Sequence, residues 1–397
     1  MEKLKKQTNK KLTELTKEIT EDVHETVEHL KQTNKKIIEE ISKNIKKIEW
    51  APVKVPPRRR IQTLAAGLYV YIFMVLPFVS MILASLILLY LNYMGRAFLL
   101  IYLAYIYYDH KKNCSAVRGN GWKRLRNNFF TNHLRDYFPV ELIKTVDLKP
   151  DRNYLLASFP HGIIGTGISI NMGNNIGKWL ELFPGIRPKI ATLDMHFYIP
   201  FMRELFRLWG LVSCSKESLT YYLTRPNDPK SKANKDGFTS NAVAVLVGGA
   251  QESLDSHPGR YILTLKNRKG FVKIAIRTGS PIVPTFSFGE VDIFDQVANP
   301  PESLLRKVQT LVKRITGVSP LIVLGRGFFQ YSFGFLPQRK HIVQVVGAPI
   351  EVEKMPNPSP EYVDEIHQKV IDSLNEMFEK YKHKYIENAD KVNLVIN

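Results

Sequence analysis

The chain of 397 residues is 44% apolar and 11% aromatic and contains two cysteines, Cys114 and Cys214. This length predicts two to three domains of about 150 residues each, and the composition excludes a largely disordered chain, a collagen-like chain and a disulfide scaffold. The formal charge of +19 predicts an anionic partner, which could be a nucleic acid, a membrane surface or a phosphorylated small molecule.

Residues 1–50 are predicted to form a long amphipathic helical arm. Apolar residues recur mostly three or four positions apart among Lys, Glu, Thr and Asn, without Gly or Pro, and the stretch 7–11 recurs at 32–36. This spacing places the apolar residues on one helix face. Because that stripe is narrow and keeps no strict heptad, two interpretations stay equally open: a coiled-coil or membrane-lying arm, and a solvated extension without a dedicated partner.

A basic linker with several prolines, residues 51–60, leads into the most apolar stretch, residues 61–109, in which Arg96 is the only basic residue. A helix needs about 20 apolar residues to cross a bilayer, so this stretch could hold two short crossings or one long one. Basic residues flank it on both sides, and they favour the cytosolic side of a membrane. We therefore expect integral membrane attachment through a transmembrane or re-entrant hairpin whose two ends lie in the cytosol.

The position of the turn in that hairpin stays open. Pro77 lies early in the stretch, whereas a turn at 92–96 leaves about a dozen residues, or roughly 18 Å of helix. A second arm of that length is too short for a full crossing and would be re-entrant.

Residues 110–397 are predicted to form a cytosolic α/β domain. Several apolar runs do not alternate with polar residues, which is typical of strands covered on both faces. The predicted strands are 154–158, 242–247, 282–288, 321–324 and 342–346, and the predicted helices are 270–278, 304–316 and 360–382.

The turn 159–162, Phe-Pro-His-Gly, directly follows a predicted apolar strand. Pro and Gly force the chain out of the strand, which sets the imidazole of His161 at the edge of the sheet. A histidine in this place is suited to act as a general base on a bound hydroxyl. The alternative is a turn in which His161 only caps a helix.

A second candidate lies at 247–253, again after an apolar strand. Gly248 and Gly249 let the backbone approach a ligand closely or adopt a positive φ, and Glu252 then faces the same end of the strands. Its carboxylate could orient the imidazole or bind a substrate hydroxyl. The alternative is a turn with an acidic residue at the start of a helix.

A third candidate is the basic run Lys266-Asn267-Arg268-Lys269-Gly270 before the helix at 271–278. Free N–H groups and the helix dipole add to the charge of these side chains, which predicts a site for a phosphate-bearing cosubstrate. A solvated basic turn is the alternative.

Other chemistries are disfavoured. The sequence contains no G-x-S-x-G elbow, no phosphate-binding P-loop and no His/Cys cluster at zinc spacing. His367 and Asp372 match H-x4-D, but on a helix their side chains would point about 140° apart. Nucleic-acid binding is disfavoured because the basic residues crowd against the apolar stretch.

Taken together, the motifs resemble the diacylglycerol acyltransferase type 2 family, which includes monoacylglycerol and wax-ester acyltransferases. The similarity runs from about residue 61 to the C-terminus. The matching segments are 136–139, 160–162, 183–188, 248–253, 267–290, 325–327 and 346–350, and 73–76 is similar to the family's neutral-lipid-binding pattern, which includes Phe73 and Leu76.

The resemblance implies transfer of a fatty acyl group from acyl-CoA to the free hydroxyl of diacylglycerol, with acyl-CoA as a cosubstrate and no cofactor or metal. It implies His161 as the general base, assisted by Glu252. Many family members carry His-Pro-His-Gly, whereas this chain has Phe159 at the first position, so a first histidine is not needed. Phe159 could instead line an acyl channel.

For the remaining site residues, Gly162, Gly248 and Gly249 are expected beside the substrates, and Arg268 and Lys269 at the coenzyme A phosphates. The expected location is the endoplasmic reticulum membrane, with the catalytic domain in the cytosol, and lipid droplets. Two alternatives are open: a monoacylglycerol or fatty-alcohol acceptor, and a non-catalytic lipid-droplet coat. A homo-oligomer is a further possibility.

Overall fold

The computed structural model describes residues 28, 32, 35, 48–113, 128–173, 178–231, 234 and 237–397. Of the predicted arm at 1–50, Glu28, Gln32 and Lys35 are helical and exposed. The rest of the arm up to residue 47 lies outside the described residues. The division of the chain into an arm, a linker, an apolar hairpin and a catalytic domain stays a prediction.

The described residues form a group of helices followed by a mixture of strands and helices. The helices are α1 (Pro57–Val70), α2 (Leu76–Tyr90), α3 (Tyr93–Asn113), α4 (Phe129–Tyr137), α5 (Thr166–Gly173), α6 (Trp179–Leu182), α7 (Met202–Trp209), α8 (Lys216–Leu223), α9 (Gly249–Asp255), α10 (Gly270–Thr278), α11 (Leu304–Thr316) and α12 (Pro360–Tyr385). The strands are β1 (Val140–Lys144), β2 (Tyr154–Phe159), β3 (Ile186–Thr192), β4 (Val212–Ser213), β5 (Ser240–Leu246), β6 (Tyr261–Leu263), β7 (Ile282–Phe288), β8 (Asp295–Gln296), β9 (Val323–Leu324), β10 (Ile342–Val346) and β11 (Leu394–Ile396).

Seven strands form the central sheet in the order β1-β10-β7-β2-β5-β3-β4. Only β10 and β7 pair antiparallel, and the other neighbours are parallel. The α/β class is thereby confirmed. The predicted strand at 321–324 is shorter than expected and pairs with β8 outside this sheet, while β1 and β3 were not predicted.

Helices cover both faces of the sheet. On one face α8, α10 and α12 pack around a core that contains Phe286 and Phe378, and on the other face α5, α6 and α7 pack around Trp179 and Phe206. Every residue of β2 is buried, which explains its unbroken apolar sequence. The end of β2 is therefore held in the middle of the domain.

The apolar stretch begins with one continuous helix, 57–90, in which a π-helical segment, Tyr71–Val75, joins α1 to α2. By length and composition alone it could cross a membrane: it has a window of mean hydropathy 2.7, of which 11% is buried in the protein. Ala66, Tyr69 and Val70 on α1 pack against the domain, whereas only Ser80 and Ala84 are buried on α2. The apolar surface of α2 thus faces away from the protein, which fits membrane association.

Helix α3 starts after a break at Leu91 and Asn92, one of the two places considered for the turn, and its second half is tied to the domain. Asp109 pairs with Arg203 and Arg207 of α7. Further along the same contact, Tyr102 donates to Glu204 and His110 lies 3.1 Å from Asp194. This polar contact surface leaves about nine residues of α3 free of the domain, roughly 14 Å of helix. How the two helices sit in a bilayer stays a prediction.

Candidate active site

The turn that carries His161 lies where parallel strands end together. β2 lies between β7 and β5, so the residues after these three strands meet at one edge of the sheet. Gly162 has φ +59°, and a Cβ there would lie 2.8 Å from Cγ of Glu290. Glycine is thus required beside His161 for both conformation and space.

Glu252 holds this turn by its backbone. The side chain is 1% exposed, and its Oε1 accepts from the backbone N–H of His161 while Oε2 accepts from that of Thr264 at 2.8 Å. The expectation that Glu252 orients His161 therefore takes a specific form: the carboxylate fixes the main chain of the turn, and the ring has other partners.

The two glycines before Glu252 have separate roles. Gly249 adopts φ +58°, a conformation that side chains disfavour. At Gly248 a Cβ would occupy the space of the Glu252 side chain, which folds back over this position. The pair thus adopts a positive φ at Gly249 and admits the Glu252 side chain at Gly248, while the expected position of both glycines beside the substrates stays a prediction.

The imidazole of His161 is fixed through one nitrogen. Its Nδ1 lies 2.9 Å from Oγ of Ser253 and 3.2 Å from the carbonyl of Gly162. When Nδ1 carries the proton it donates to one of these oxygens, and the lone pair of Nε2 is then available to accept a proton. Among the described residues Nε2 has no hydrogen-bond partner. Burial lowers the pKa of His161, so the ring is neutral at pH 7 and able to act as a base.

A second buried carboxylate, Glu290, lies on the opposite side of the turn and was not assigned a role from the sequence. It follows β7, and its two oxygens accept from the backbone N–H groups of Thr166 and Gly167 at 2.7 Å each. These are the first residues of α5, where N–H groups have no partner within the helix. The signal that could have identified Glu290 is an acidic residue directly after an apolar strand that neighbours β2.

The pKa values of Glu252 and Glu290 both lie above the usual range of a carboxylic acid. Burial raises the pKa of Glu252 to about 7, against the opposing effect of the two N–H donors. The same cause raises the pKa of Glu290 to about 7. Each acid therefore exchanges its proton near neutral pH.

An apolar pocket that is partly open to solvent lies between the end of α1, α5 and α7. Its lining residues are Tyr69, Phe73, Leu134, Ser169, Gly173, Ile190, Trp209 and Leu211. Ser169 lies on α5 three residues, or just under one turn, after Thr166. The helix held by Glu290 therefore also forms a wall of the cavity. We name this space the α5 cavity.

Phe73 lines the α5 cavity, and Leu76 packs on the adjacent core without lining it. Phe159 does not line it either: the ring is fully buried in the core on the side of α10 and α12. The suggested acyl channel at Phe159 and the α5 cavity are thus different places in the fold.

The basic run before α10 divides into two kinds of residue. Lys269 is engaged by α12, since its Nζ lies 2.6 Å from Oδ1 of Asp364. Arg268 is exposed and close enough to Glu252 to favour the ionised carboxylate. Of the two, only Arg268 therefore has an electrostatic effect on Glu252 among the causes of its pKa shift.

The two residues of the H-x4-D motif have separate partners. His367 lies 3.1 Å from the carbonyl of Leu265, and Asp372 accepts from Gln368, so the H-x4-D residues do not act on one another. Within the described residues no group of three His, Cys, Asp or Glu could hold a metal ion.

Comparison with known proteins identifies similar chains. Residues 88–397 match the family described as Diacylglycerol acyltransferase. Diacylglycerol O-acyltransferase 2 of Dictyostelium discoideum is 38% identical over 352 residues, or 88% of this chain and 100% of that protein. 2-acylglycerol O-acyltransferase 1 of Bos taurus is 39% identical over 340 residues, or 85% and 96%. A 1-acyl-sn-glycerophosphate acyltransferase of Thermotoga maritima aligns with a TM-score of 0.35 and 14% identity, over 82% of this chain and 98% of that one.

Proposed function

Because the chain belongs to the diacylglycerol acyltransferase family, we propose that it transfers a fatty acyl group from acyl-CoA to the free hydroxyl of diacylglycerol, making triacylglycerol. The family establishes an acyltransferase of lipid metabolism. The observation that carries the finer proposal is the environment of His161: a neutral imidazole with Nδ1 tied to Ser253 and Nε2 free among the described residues.

In the proposed reaction, Nε2 of His161 removes the proton from the acceptor hydroxyl as its oxygen attacks the thioester carbon. The carbon–sulfur bond then breaks, the ester remains on the acceptor, and coenzyme A leaves as a thiol with the proton from the imidazolium. Backbone N–H groups near Gly162 would stabilise the oxyanion of the intermediate. Glu252 acts through the backbone of the turn and keeps the ring in place.

The transfer proceeds without a covalent acyl-enzyme. Cys214 is a poor nucleophile because burial raises the pKa of its thiol, and Cys114 lies outside the described residues. No serine elbow occurs in the sequence. Direct attack by the acceptor is therefore the favoured route.

The two substrates are proposed to arrive from different phases. The apolar helix 57–90 carries Tyr69 and Phe73 to the α5 cavity, which suits the acyl chains of a lipid taken from the membrane. Arg268 on the exposed side suits the phosphates of acyl-CoA. This arrangement supports a catalytic domain on the cytosolic face of the endoplasmic reticulum, with access to lipid droplets. A homo-oligomer is compatible with it.

The central test is His161→Ala in membranes supplied with labelled acyl-CoA and diacylglycerol. General-base catalysis is worth roughly 10²–10⁴ in rate, so we expect the turnover to fall by at least about a hundredfold. His383→Ala, an exposed change on α12, is the matched control. Full activity of a normally expressed His161→Ala protein would reject the base assignment.

Two other functions are separated by a panel of acceptors. The bovine relative is named for a 2-acylglycerol acceptor, so monoacylglycerol, diacylglycerol and a fatty alcohol are supplied in turn to the purified protein. Diacylglycerol is expected to give the highest kcat/KM. Turnover with another acceptor alone would keep His161 as the base and change the substrate, and absence of turnover with all three would favour a lipid-droplet coat.

A further inference from the structure

Helix α11 is fastened to α9, the short helix that carries Glu252 and Ser253. Arg306 donates to the carbonyl of Leu254 at 2.7 Å and pairs with Asp255. Arg306 thus holds one face of α11 against the end of α9.

Lys313 comes seven residues after Arg306 and therefore lies on the same face of α11, where it reaches the start of α9. Lys313 donates from Nζ to Oε1 of Gln251, and Gln251 directly precedes Glu252. Close by, Ser319 donates to the carbonyl of Ala250. The ammonium of Lys313 is therefore held next to the segment that fixes His161.

Four cations gather at this place: Arg268, Arg306, Lys313 and Arg314. Burial lowers the pKa of Lys313, and repulsion from the three arginines lowers it further, while Asp255 is the acid that opposes them. Asp255 is the one acid that raises the pKa of Lys313, and Glu252, the other carboxylate near Arg268, is buried with its pKa raised to about 7. Of these groups Arg306 is paired with Asp255, whereas Arg268 and Arg314 are exposed and have no ion-pair partner among the described residues.

Such a concentration of like charge attracts anions. Lys269 differs, since Asp364 already compensates its charge. The exposed Arg268 and Arg314 lie near the half-buried Lys313, an arrangement that fits a multiply charged phosphate group, because guanidinium and ammonium donors combine there.

We propose that Arg268, Lys313 and Arg314 bind the phosphate groups of coenzyme A, and that Arg306 holds α11 in register with α9. This assignment rests on the proposed use of acyl-CoA. Coenzyme A carries its phosphates at the end opposite the thioester, so a site on the exposed rim beside α9 leaves the thioester end free to reach His161. The site thus spans α11 as well as the basic run before α10.

Two substitutions test the site without removing its packing. Lys313→Gln keeps an N–H donor for Gln251 and removes the charge, and Arg314→Gln changes an exposed residue. In the double variant we expect the apparent KM for acyl-CoA to rise about tenfold, with kcat within about twofold, because charged hydrogen bonds to phosphate are lost. Lys313→Arg should restore most of the affinity, and Lys380→Gln, an exposed change on α12, should leave the KM unchanged.

Direct binding of free coenzyme A and of 3′-dephospho-coenzyme A, measured by calorimetry on the full-length protein in detergent, identifies the ligand group. The wild type is expected to bind coenzyme A more tightly than the 3′-dephospho form, and the double variant should lose most of this difference. An unchanged KM together with an unchanged preference for coenzyme A would overturn the proposal.

The same cations could meet the phosphate of a lipid headgroup. Vesicles of phosphatidylcholine with and without phosphatidylserine separate the two sources: weaker vesicle binding by the double variant, with an unchanged KM, would overturn the coenzyme A assignment. Failure of the proposed function has another signature, because a protein that turns over no acceptor could still bind coenzyme A and lose that binding in the double variant.

Discussion

On the two sides of the turn that carries His161, glutamates have different structural roles. Glu252 follows β5 and Glu290 follows β7, the two strands that flank β2, and burial raises the pKa of both to about 7. Glu252 accepts from two loop N–H groups, one of them that of His161. Glu290 instead accepts from the first N–H groups of α5. One carboxylate thus fixes the turn that carries His161, and the other fixes a wall of the α5 cavity.

The largest expected effect separates these tasks by replacing each acid with its amide. Glu252→Gln leaves one of two buried N–H groups without an acceptor, and we expect kcat to fall roughly ten- to a hundredfold, because the turn that holds His161 loses a bond. Glu290→Gln should change the KM for the lipid acceptor more than kcat. Steady-state assays on purified, monodisperse proteins measure the split. Equal losses of kcat in both variants would contradict the division.

The neighbouring glycines sharpen the same comparison. In Gly248→Ala the new methyl group displaces the Glu252 side chain, so kcat should fall about as far as in Glu252→Gln. Gly249→Ala is the matched control: it meets no atom within 4 Å and costs only the strain of its positive φ, about 1–2 kcal/mol. A lower melting temperature with kcat within about threefold is expected there. A larger kcat loss in Gly249→Ala than in Gly248→Ala would refute this explanation.

The smallest effect concerns stability and pH. Burial raises the pKa of Glu290 from 4.5 to about 7, so the folded chain keeps a proton that the unfolded chain loses above its own lower pKa. The stabilising contribution is full below about pH 4.5 and is lost as the pH rises through about 7. Glu290→Gln should therefore flatten the fall of the melting temperature between pH 5 and 8, by a few degrees or so. Parallel curves for both proteins would mean that Glu290 does not titrate in this range.

Much of the fold could be predicted because its central elements carry local signals. The fully buried β2 is apolar throughout, and α10 and α11 begin and end as their periodicity predicts. β3 was missed because its sequence, Ile-Arg-Pro-Lys-Ile-Ala-Thr, contains two basic residues. Arg187 bonds Asn241, and Lys189 lies over the ring of Tyr222. Those partners are distant in sequence, so a local pattern does not reveal them.

The candidate site likewise contains residues that the sequence predicts and residues that it does not. His161, Gly248 and Glu252 stand out because Pro and Gly interrupt apolar strands, and the structure brings them within hydrogen-bond reach or close contact. Glu290 also follows an apolar strand, but the sequence does not show that this strand neighbours β2, and Lys313 carries no local mark at all. Their positions depend on which strands are neighbours and on how α11 packs, which are properties of the assembled chain.

The contact between α3 and α7 links the apolar helices to the α5 cavity. Asp109 and Tyr102 join α3 to the helix whose Trp209 lines the α5 cavity. These bonds connect the wall of the α5 cavity directly to the helix that follows the candidate membrane span. Under the proposed function, a lipid substrate would enter the α5 cavity from the membrane without crossing water.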